Sequence, residues 1–224
     1  MGRISNVRLQ WLRVHLDTFR KVRHNIALSG LSTVVLSGEI VMDVMQAIKG
    51  RRSVRKYKPT PVSDNAVDTV LEAAGWAPSW KNSQCWRFVV VRDPQVKAKL
   101  AATLKPETNR AAMGIREAPV VIVACAELGK SGYHKGEHGT DKGDWFMFDT
   151  ALAMQNLALA AYAMGLGTVH VGLFDAKEAA RILDVPEGVV VVEMTPLGYP
   201  DEEPVAPRRK ELAEIVIKEK YVKG

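Results

Sequence analysis

The sequence predicts an α+β fold with a central mixed β-sheet flanked by helices. Short runs rich in β-branched residues, over residues 87–92, 119–126 and 189–196, are typical of strands. Segments with the apolar periodicity of helices fill much of the chain between them. Strands and helices alternate, but not in the regular strand–helix–strand units of a parallel sheet. The length of 224 residues suits one domain, or one domain with an appendage.

Residues 1–41 form a predicted N-terminal extension that differs in composition from the rest of the chain. They contain six Lys and Arg against two Asp and Glu, whereas residues 42–224 contain 25 against 23. Apolar side chains between residues 7 and 19 have the spacing of a basic amphipathic helix, which would suit a membrane surface or a partner protein. We favour a loosely packed extension, or a start codon assigned too early with Met42 as the true start. Residues 42–224 then form one domain.

From residue 42 onward the local signals predict a continuous series of elements. Ser63 or Asp64 caps a helix that Pro78 ends, and Pro94 opens another helix. The elements predicted in the first half are a short helix ending at Gly50, the helix from 63 or 64 to 78, a strand over 87–92, a helix over 94–104 and a strand over 119–126. Those predicted in the second half are a helix over 145–164, a strand near 168–172, a helix over 176–183, a strand over 189–196 and a helix near 211–218.

Two of these elements are apolar on nearly every side. The strand over residues 119–126 has no polar face, which is typical of a strand buried between two layers. The helix over residues 145–164 is apolar almost all round, which implies burial on most sides. We expect this helix to be central and to be shared with a partner subunit.

The composition argues against several classes of function. The net charge of +6 lies largely in residues 1–41, so the body of the chain lacks the basic surface of a nucleic-acid-binding protein. No run of about 18 apolar residues predicts a membrane span. The only cysteines, Cys85 and Cys125, indicate neither a disulfide framework nor a metal cluster, so a cytoplasmic location is expected.

Three short patterns resemble known sites without their context. Residues 129–131 follow a strand, but the glycine that a phosphate-binding loop needs five positions before Gly129 is Ala124. His134 and His138 have the spacing of metal ligands in a Gly-rich loop that we interpret as solvated, with no metal. The glycines of residues 165–167 end a helix instead of opening one, so no Rossmann site is predicted. Any use of NADH or NADPH must therefore pass through another cofactor.

The first motif with chemical content is the basic segment Arg51, Arg52, Ser53, Val54 and Arg55. Three arginines and a hydroxyl that alternate along an extended segment can converge on a phosphate. Arginine suits phosphate because its planar guanidinium donates two parallel hydrogen bonds. On this motif alone, a solvated basic stretch is the alternative.

The second motif is the loop over residues 77–86, which leads directly into a strand. Ser79, Asn82 and Gln84 offer several neutral donors and acceptors at the start of that strand. The pyrimidine edge of a flavin requires such a mixture, because its carbonyl oxygens need donors and its N–H needs an acceptor. Side-chain to backbone turns are the alternative reading of the same residues.

Together and in this order, the two motifs resemble the FMN-dependent nitroreductase family. The order continues as it does in that family through five further segments. These are the buried strand over 119–126, the apolar helix ending at 165–168, the segment 171–175, the strand ending at 196–200 and the basic run 208–210. The resemblance covers residues 42–216. Each motif alone is weak, and the ordered set is specific.

The resemblance implies a homodimer with FMN at each of two subunit interfaces. The residues that it implies for the FMN site are Arg51, Arg52, Ser53, Arg55, Pro78, Ser79, Asn82, Gln84, Gly172, Leu173, and Arg208 or Arg209. In such a site the basic segment would hold the phosphate, ribityl chain and pyrimidine, with Arg52 at a more variable position. Residues 78–84 would approach from the other subunit. The backbone at 172–173 would lie against the reactive edge, and an arginine of the pair 208–209 would close on the phosphate.

The sequence departs from the family pattern at three places. Cys85 stands where the family usually has proline, and Gly172 stands where some members have an acidic residue. A backbone contact survives the second change, whereas a carboxylate role does not. The Asn and Lys that some members place before the second core strand have only loose counterparts, Asn109 and Arg110.

The activity implied by the resemblance is hydride transfer from NADH or NADPH through bound FMN to a nitroaromatic, a quinone or a similar small acceptor, with ping-pong kinetics. Arg55 is the candidate for stabilising the reduced flavin. The candidate walls of the substrate side are Trp80, Tyr133, His134, Trp145 and Phe148, with core packing as the alternative for the last two. The alternatives are a flavin reductase, a dehalogenase, an enzyme that consumes its own flavin, and a non-catalytic flavin-binding or partner-binding protein.

Overall fold

The computed structural model describes residues 34–36, 39–104 and 109–221, and the chain divides into two compact units, Met1–Arg51 and Arg52–Gly224. The described part of the first unit contains an antiparallel hairpin of β1 (Val34–Leu36) and β2 (Glu39–Val41), followed by α1 (Val44–Gly50). Asp43 begins α1 with a capping box, because its carboxylate accepts from the backbone of the first turn and Gln46 reaches back to its N–H. The predicted helix ending at Gly50 is confirmed. The predicted helix over residues 7–19 lies outside the described residues, and the extension over 1–41 stays a prediction.

The second unit contains the remaining elements. In chain order they are α2 (Asp64–Gly75), a 3-10 turn (Trp80–Asn82), β3 (Trp86–Val91), α3 (Pro94–Ala102), α4 (Ala111–Glu117), β4 (Val120–Glu127), β5 (Tyr133–His134), β6 (Glu137–His138), α5 (Phe146–Ala163), α6 (Ala176–Ile182), β7 (Val189–Leu197) and α7 (Leu212–Ile215). Every helix and strand predicted here is present within a few residues, apart from the strand near 168–172 and the shorter final helix. Helix α4 and the small β5–β6 hairpin were not predicted.

The central sheet places its long strands in the order β3, β4, β7, and all three pair antiparallel. The segment expected as a strand near 168–172 pairs only through isolated bridges. Gly167 and Val171 bridge antiparallel to β7, while Thr168 bridges parallel to Ser53 on the other side. The predicted α+β fold with a central sheet and flanking helices is confirmed, and the three long strands of that sheet pair antiparallel. Within the part of the chain that the structure describes, the bridge between Ser53 and Thr168 is the only parallel pairing.

The core consists of two clusters on the two faces of β4. Side chains alternate across a strand, so Val120, Ile122 and Ala124 face α2 and α5, while Val121 and Val123 face α3, α4 and α6. Residues 120–126 are all at most 2% exposed. This double burial explains why the strand has no polar face.

Helix α5 packs one side against the sheet and α2. Its buried apolar residues include Ala153, Met154 and Leu157, whereas Met147 and Phe148 near its start are about half exposed, at 57% and 54%. The outward side therefore keeps apolar surface, and its predicted contact with a partner subunit stays a prediction. Among the described residues, no helix is both long enough and apolar enough to cross a membrane.

We predict that Gly167→Ala destabilises the fold by about 1–3 kcal/mol, the usual cost of overpacking. An added methyl group would lie 2.8 Å from Cβ of Val54, which is itself buried. Urea unfolding measures the effect. Gly75→Ala is the matched control, because no atom lies within 4 Å of the added methyl. If Val54 causes the clash, adding Val54→Ala costs less in the Gly167→Ala background than alone; additive effects would contradict this explanation.

We also predict that neither thiol reacts with iodoacetamide in the native protein at pH 8. Burial raises the pKa of Cys85 to about 11, with a further contribution from the Asp149 charge, and burial raises the pKa of Cys125 to about 11. The reactive thiolate is therefore nearly absent at pH 8, and access is blocked as well. Mass spectrometry should find two alkylated cysteines after denaturation only. Alkylation of native Cys85 at the rate of a free thiol would contradict its burial.

Candidate functional site

The loop between α2 and β3 has an uncommon backbone conformation. Lys81, Asn82 and Gln84 have positive φ angles of 47°, 58° and 46°. This left-handed region is costly for residues other than glycine, although asparagine tolerates it better than most. Such conformations cluster at functional sites, where the surrounding structure imposes them. The surrounding structure therefore holds this loop in a strained backbone conformation.

The hydrogen bonds inside this loop leave other donors and acceptors of the same side chains available for a ligand, as expected from the sequence. The Gln84 backbone N–H donates to Oγ of Ser79 at 3.0 Å, and Nε2 of Gln84 donates to Oδ1 of Asn82 at 3.0 Å. The Ser79 hydroxyl hydrogen, the Asn82 amide hydrogens and Oε1 of Gln84 are not used in these bonds. These groups combine donors with an acceptor, which fits the pyrimidine edge of a flavin.

A buried carboxylate supports the loop, and the sequence analysis missed it. Oδ2 of Asp149 accepts from the Trp80 backbone N–H at 3.0 Å and from the hydroxyls of Ser83 and Ser131 at 3.2 and 2.6 Å. The thiol of Cys85, at the position where the family pattern has proline, lies 4.0 Å from the same oxygen. One signal could have revealed this role: Asp149 is the only charged residue of α5.

The backbone of the basic segment is held by one neighbouring backbone segment and by the side chain of Glu202. The Val54 N–H donates to the Thr168 carbonyl at 2.9 Å, and its side chain is buried beneath Gly167. Because Val54 points inward, Ser53 and Arg55 point to the opposite side of this extended segment. Oε1 of Glu202 accepts the backbone N–H of Arg55 and of the next residue. Of the other two candidates, Arg52 is partly exposed and Arg51 follows the last residue of α1 in the first unit.

An open groove of about 790 Å³ surrounds Arg55. Its charged lining residues are Arg55, Lys56, Arg110, Arg116, Glu117 and Glu202. The cations outnumber the carboxylates, and Glu202 already accepts two backbone N–H groups, so the groove suits an anionic ligand. The loose candidates Asn109 and Arg110 both belong to this groove.

Asn109 also connects the groove to the candidate residues at 172–173. Its Nδ2 donates to the Leu173 carbonyl at 3.0 Å, and the Leu173 side chain is 57% exposed. A methyl group added at Gly172 would meet no atom within 4 Å, so the backbone there is open to a ligand. The structure thus brings Arg55, Asn109 and Leu173 into one region of the surface.

A second, apolar pocket of about 330 Å³ lies beside the loop. The rings of Trp80 and Trp145 lie 5.6 Å apart, and Phe148 meets Trp145 edge-on at 5.3 Å. These three aromatic residues line the pocket, and their predicted place on the substrate side stays a prediction. Tyr133 contacts it through its carbonyl, which accepts from the Trp80 indole at 3.0 Å, and His134 lies 2.6 Å from the Lys81 ammonium.

Other candidates remain apart from these two regions. Arg208 and Arg209 are exposed in the irregular segment before α7. The lining residues of the Arg55 groove and of the aromatic pocket do not overlap among the described residues. His138 packs on the ring of Tyr133 at 4.6 Å, and no group of three metal-ligating side chains is found in the described ranges.

Comparison with known proteins shows the family to which the chain belongs. The model of the nitroreductase family matches residues 48–199, well over half of the chain. A Thermus thermophilus protein named NADH dehydrogenase is 32% identical over 202 residues. The match covers 79% of this chain and 96% of that protein. A 5,6-dimethylbenzimidazole synthase from Rhodospirillum rubrum is 32% identical over 179 residues, which cover 72% of this chain and 84% of that protein.

A solved structure agrees with these sequence matches. An FMN-dependent nitroreductase from Clostridium difficile R20291 superposes with a TM-score of 0.65 at 26% identity, covering 78% of this chain and 99% of that one. The chain therefore belongs to the nitroreductase family, which confirms the family predicted from the ordered motifs and, with it, the predicted class of enzyme, an oxidoreductase.

Proposed function

We propose that the chain is an FMN-dependent oxidoreductase that uses NADH or NADPH to reduce nitroaromatics, quinones or similar small acceptors. The observation that carries this proposal is the strained loop, in which Ser79, Asn82 and Gln84 keep the donors and acceptor that a flavin edge requires. The names of the relatives and of the similar structure support the choice of FMN and of a nicotinamide donor. The cytoplasmic location belongs to the same proposal, because both cysteines are free and buried.

FMN, when bound, supplies a centre that accepts hydride from NAD(P)H and passes electrons to the acceptor. The chain's own residues bind and orient. The guanidinium of Arg55 places positive charge in the groove, where it would offset negative charge that develops during reduction. Trp80, Trp145 and Phe148 form an apolar wall that would exclude water and contact a flat acceptor. A single site used in turn by donor and acceptor gives ping-pong kinetics.

The remaining candidates complete the proposed site. Arg51, Arg52 and Ser53 would reach the phosphate and ribityl chain, and Arg208 or Arg209 would close on the phosphate. The open backbone at residues 172–173 would approach the reactive edge of the ring.

We further propose that the site is completed by a second copy of the chain. Pro78, Ser79 and Trp80 line the aromatic pocket, whereas Arg55 lines a separate groove, which supports a site that one copy alone does not complete. Large apolar side chains also stand exposed on the outward side of α5 and along the C-terminal segment, where Val205 is 91% and Tyr221 is 84% exposed. These exposed apolar side chains support the proposal that this surface contacts a second copy.

A second function is favoured by one finding, the similarity to the Rhodospirillum rubrum 5,6-dimethylbenzimidazole synthase. This similarity makes an enzyme that consumes its own flavin the main alternative. Mass spectrometry of the flavin before and after incubation with NADH and oxygen separates the two. Intact FMN after many turnovers supports the oxidoreductase, whereas stoichiometric conversion of FMN supports the alternative.

We predict that the purified protein, alone or after incubation with FMN, shows flavin absorbance that NADH or NADPH bleaches under anaerobic conditions. Adding a nitroaromatic or a quinone should restore the absorbance. In steady state, plots of reciprocal rate against reciprocal donor concentration should be parallel at different acceptor concentrations. Free FMN at equal concentration is the control. A protein that retains no FMN would overturn the proposal, and one that retains FMN without bleaching would be a non-catalytic binder.

We predict that Arg55→Gln and Asn82→Asp each reduce kcat/KM by about 10-fold or more, because each removes a charged or amide donor from the site. Asn82→Asp keeps the oxygen that Gln84 contacts.

If each site joins Arg55 of one copy to the loop of the other, a heterodimer of the two variants has one intact site. Random mixing by refolding should then restore about a quarter of wild-type activity, as two-fold symmetry requires. Activity no higher than that of the separate variants would contradict a shared site.

A further inference from the structure

Asp149 is a buried charge whose role the proposed function has not used. It is 1% exposed and lies in the first turn of α5, which is otherwise uncharged. The positive end of the helix dipole favours an anion there. Within the described residues, the carboxylate makes no salt bridge with Lys, Arg or His. A buried carboxylate without an ion pair is tolerated only when hydrogen bonds compensate for the lost hydration.

The compensation comes from two loops that are distant along the chain. The donors to Oδ2 are the backbone N–H of Trp80, the hydroxyl of Ser83 and the hydroxyl of Ser131, at 3.0, 3.2 and 2.6 Å. Bonds to an ionised acceptor are the stronger kind. The carboxylate therefore ties the loop before β3 and the loop after β4 to the start of α5.

The anchored positions bracket the strained part of the loop. Trp80 and Ser83 are bound to Asp149, while Lys81 and Asn82 between them and Gln84 just after them have positive φ. Anchors on both sides of a short segment restrict its backbone, so these bonds hold the left-handed residues in their conformation. The same anchor fixes Trp80, whose ring forms one wall of the aromatic pocket.

We propose that Asp149 is a positioning residue that holds Asn82 and Gln84 in the conformation that binds the cofactor. This inference rests on the proposed function for the identity of the ligand. Asp149 also lines the aromatic pocket, and the role inferred for it acts through the loop and through Trp80. The chemistry it serves is the recognition of the pyrimidine edge by amide groups.

The test compares Asp149→Asn with Leu157→Ala, a control on the same helix whose side chain is fully buried in the hydrophobic core and makes no hydrogen bond. Asparagine keeps the size of the side chain and removes the charge that three donors share. We expect Asp149→Asn to weaken FMN binding by about 10-fold or more, as losing charge-assisted bonds implies. Leu157→Ala should lower Tm at least as much and leave the Kd for FMN unchanged. Fluorescence titration with FMN gives Kd, and thermal unfolding gives Tm.

Ser131→Ala and Ser83→Ala keep the inference testable if Asp149→Asn folds poorly. Each removes one donor, so each should weaken FMN binding less than Asp149→Asn does, with little change in Tm. Wild-type Kd values in Asp149→Asn, or equal losses of FMN binding in Asp149→Asn and Leu157→Ala, would overturn the positioning role while leaving the proposed function in place.

Hydrogen exchange of the Trp80 amide in the protein without FMN separates this inference from the proposed function. The anchoring predicts faster Trp80 exchange in Asp149→Asn and no change in Leu157→Ala. A wild-type protein that binds no FMN overturns the proposed function, and the exchange data then judge the anchoring alone. Unchanged Trp80 exchange in Asp149→Asn would overturn it.

Discussion

The burial of β4 on both faces is the constraint on which the rest of this structure depends. Its residues from Val120 to Ala126 are all nearly inaccessible, and both helical layers pack on them. Each fully buried Val or Ile side chain contributes about 1.5–3 kcal/mol by leaving water, so this strand accounts for a large part of the core. A strand without a polar face offers no place for chemistry. The polar groups of the site therefore lie at the ends of strands and in the segments between elements.

The separation of a rigid sheet from irregular functional segments explains where the strain is found. Lys81, Asn82 and Gln84 hold left-handed conformations in the loop that enters β3. The cost of such conformations must be offset nearby, and in the role proposed for Asp149 its bonds to Trp80 and Ser83 offset it. The extended segment around Arg55 is positioned differently, by backbone pairing with Thr168 and by the tight contact between Val54 and Gly167. Two sets of candidate cofactor-binding residues are thus positioned by two separate sets of contacts.

Much of the candidate site could be predicted because its chemistry is local in sequence. The mixture of Ser, Asn and Gln in one loop and the alternating arginines in one segment are visible without a structure. The lone charge of Asp149 in α5 was visible, but the groups that bind it were not, because its donor Trp80 is 69 positions away. The contact between Asn109 and Leu173, 64 positions apart, was hidden for the same reason. The irregular pairing of residues 167–171 was also missed, since bridges to β7 on one side and to Ser53 on the other depend on where those neighbours lie.

The sequence by itself determined the order and type of most elements, the double burial of β4, the family, and the residue types able to bind a phosphate and a flavin edge. Caps, β-branched runs and apolar periodicity act over a few residues, so they can be read from the chain directly. Only the tertiary structure decided which polar groups meet. It placed Asn109 beside Leu173, gathered Trp80, Trp145 and Phe148 around one pocket, and brought two loops onto the Asp149 carboxylate. Those contacts depend on the packing of helices against the sheet, which brings together residues that no local preference connects.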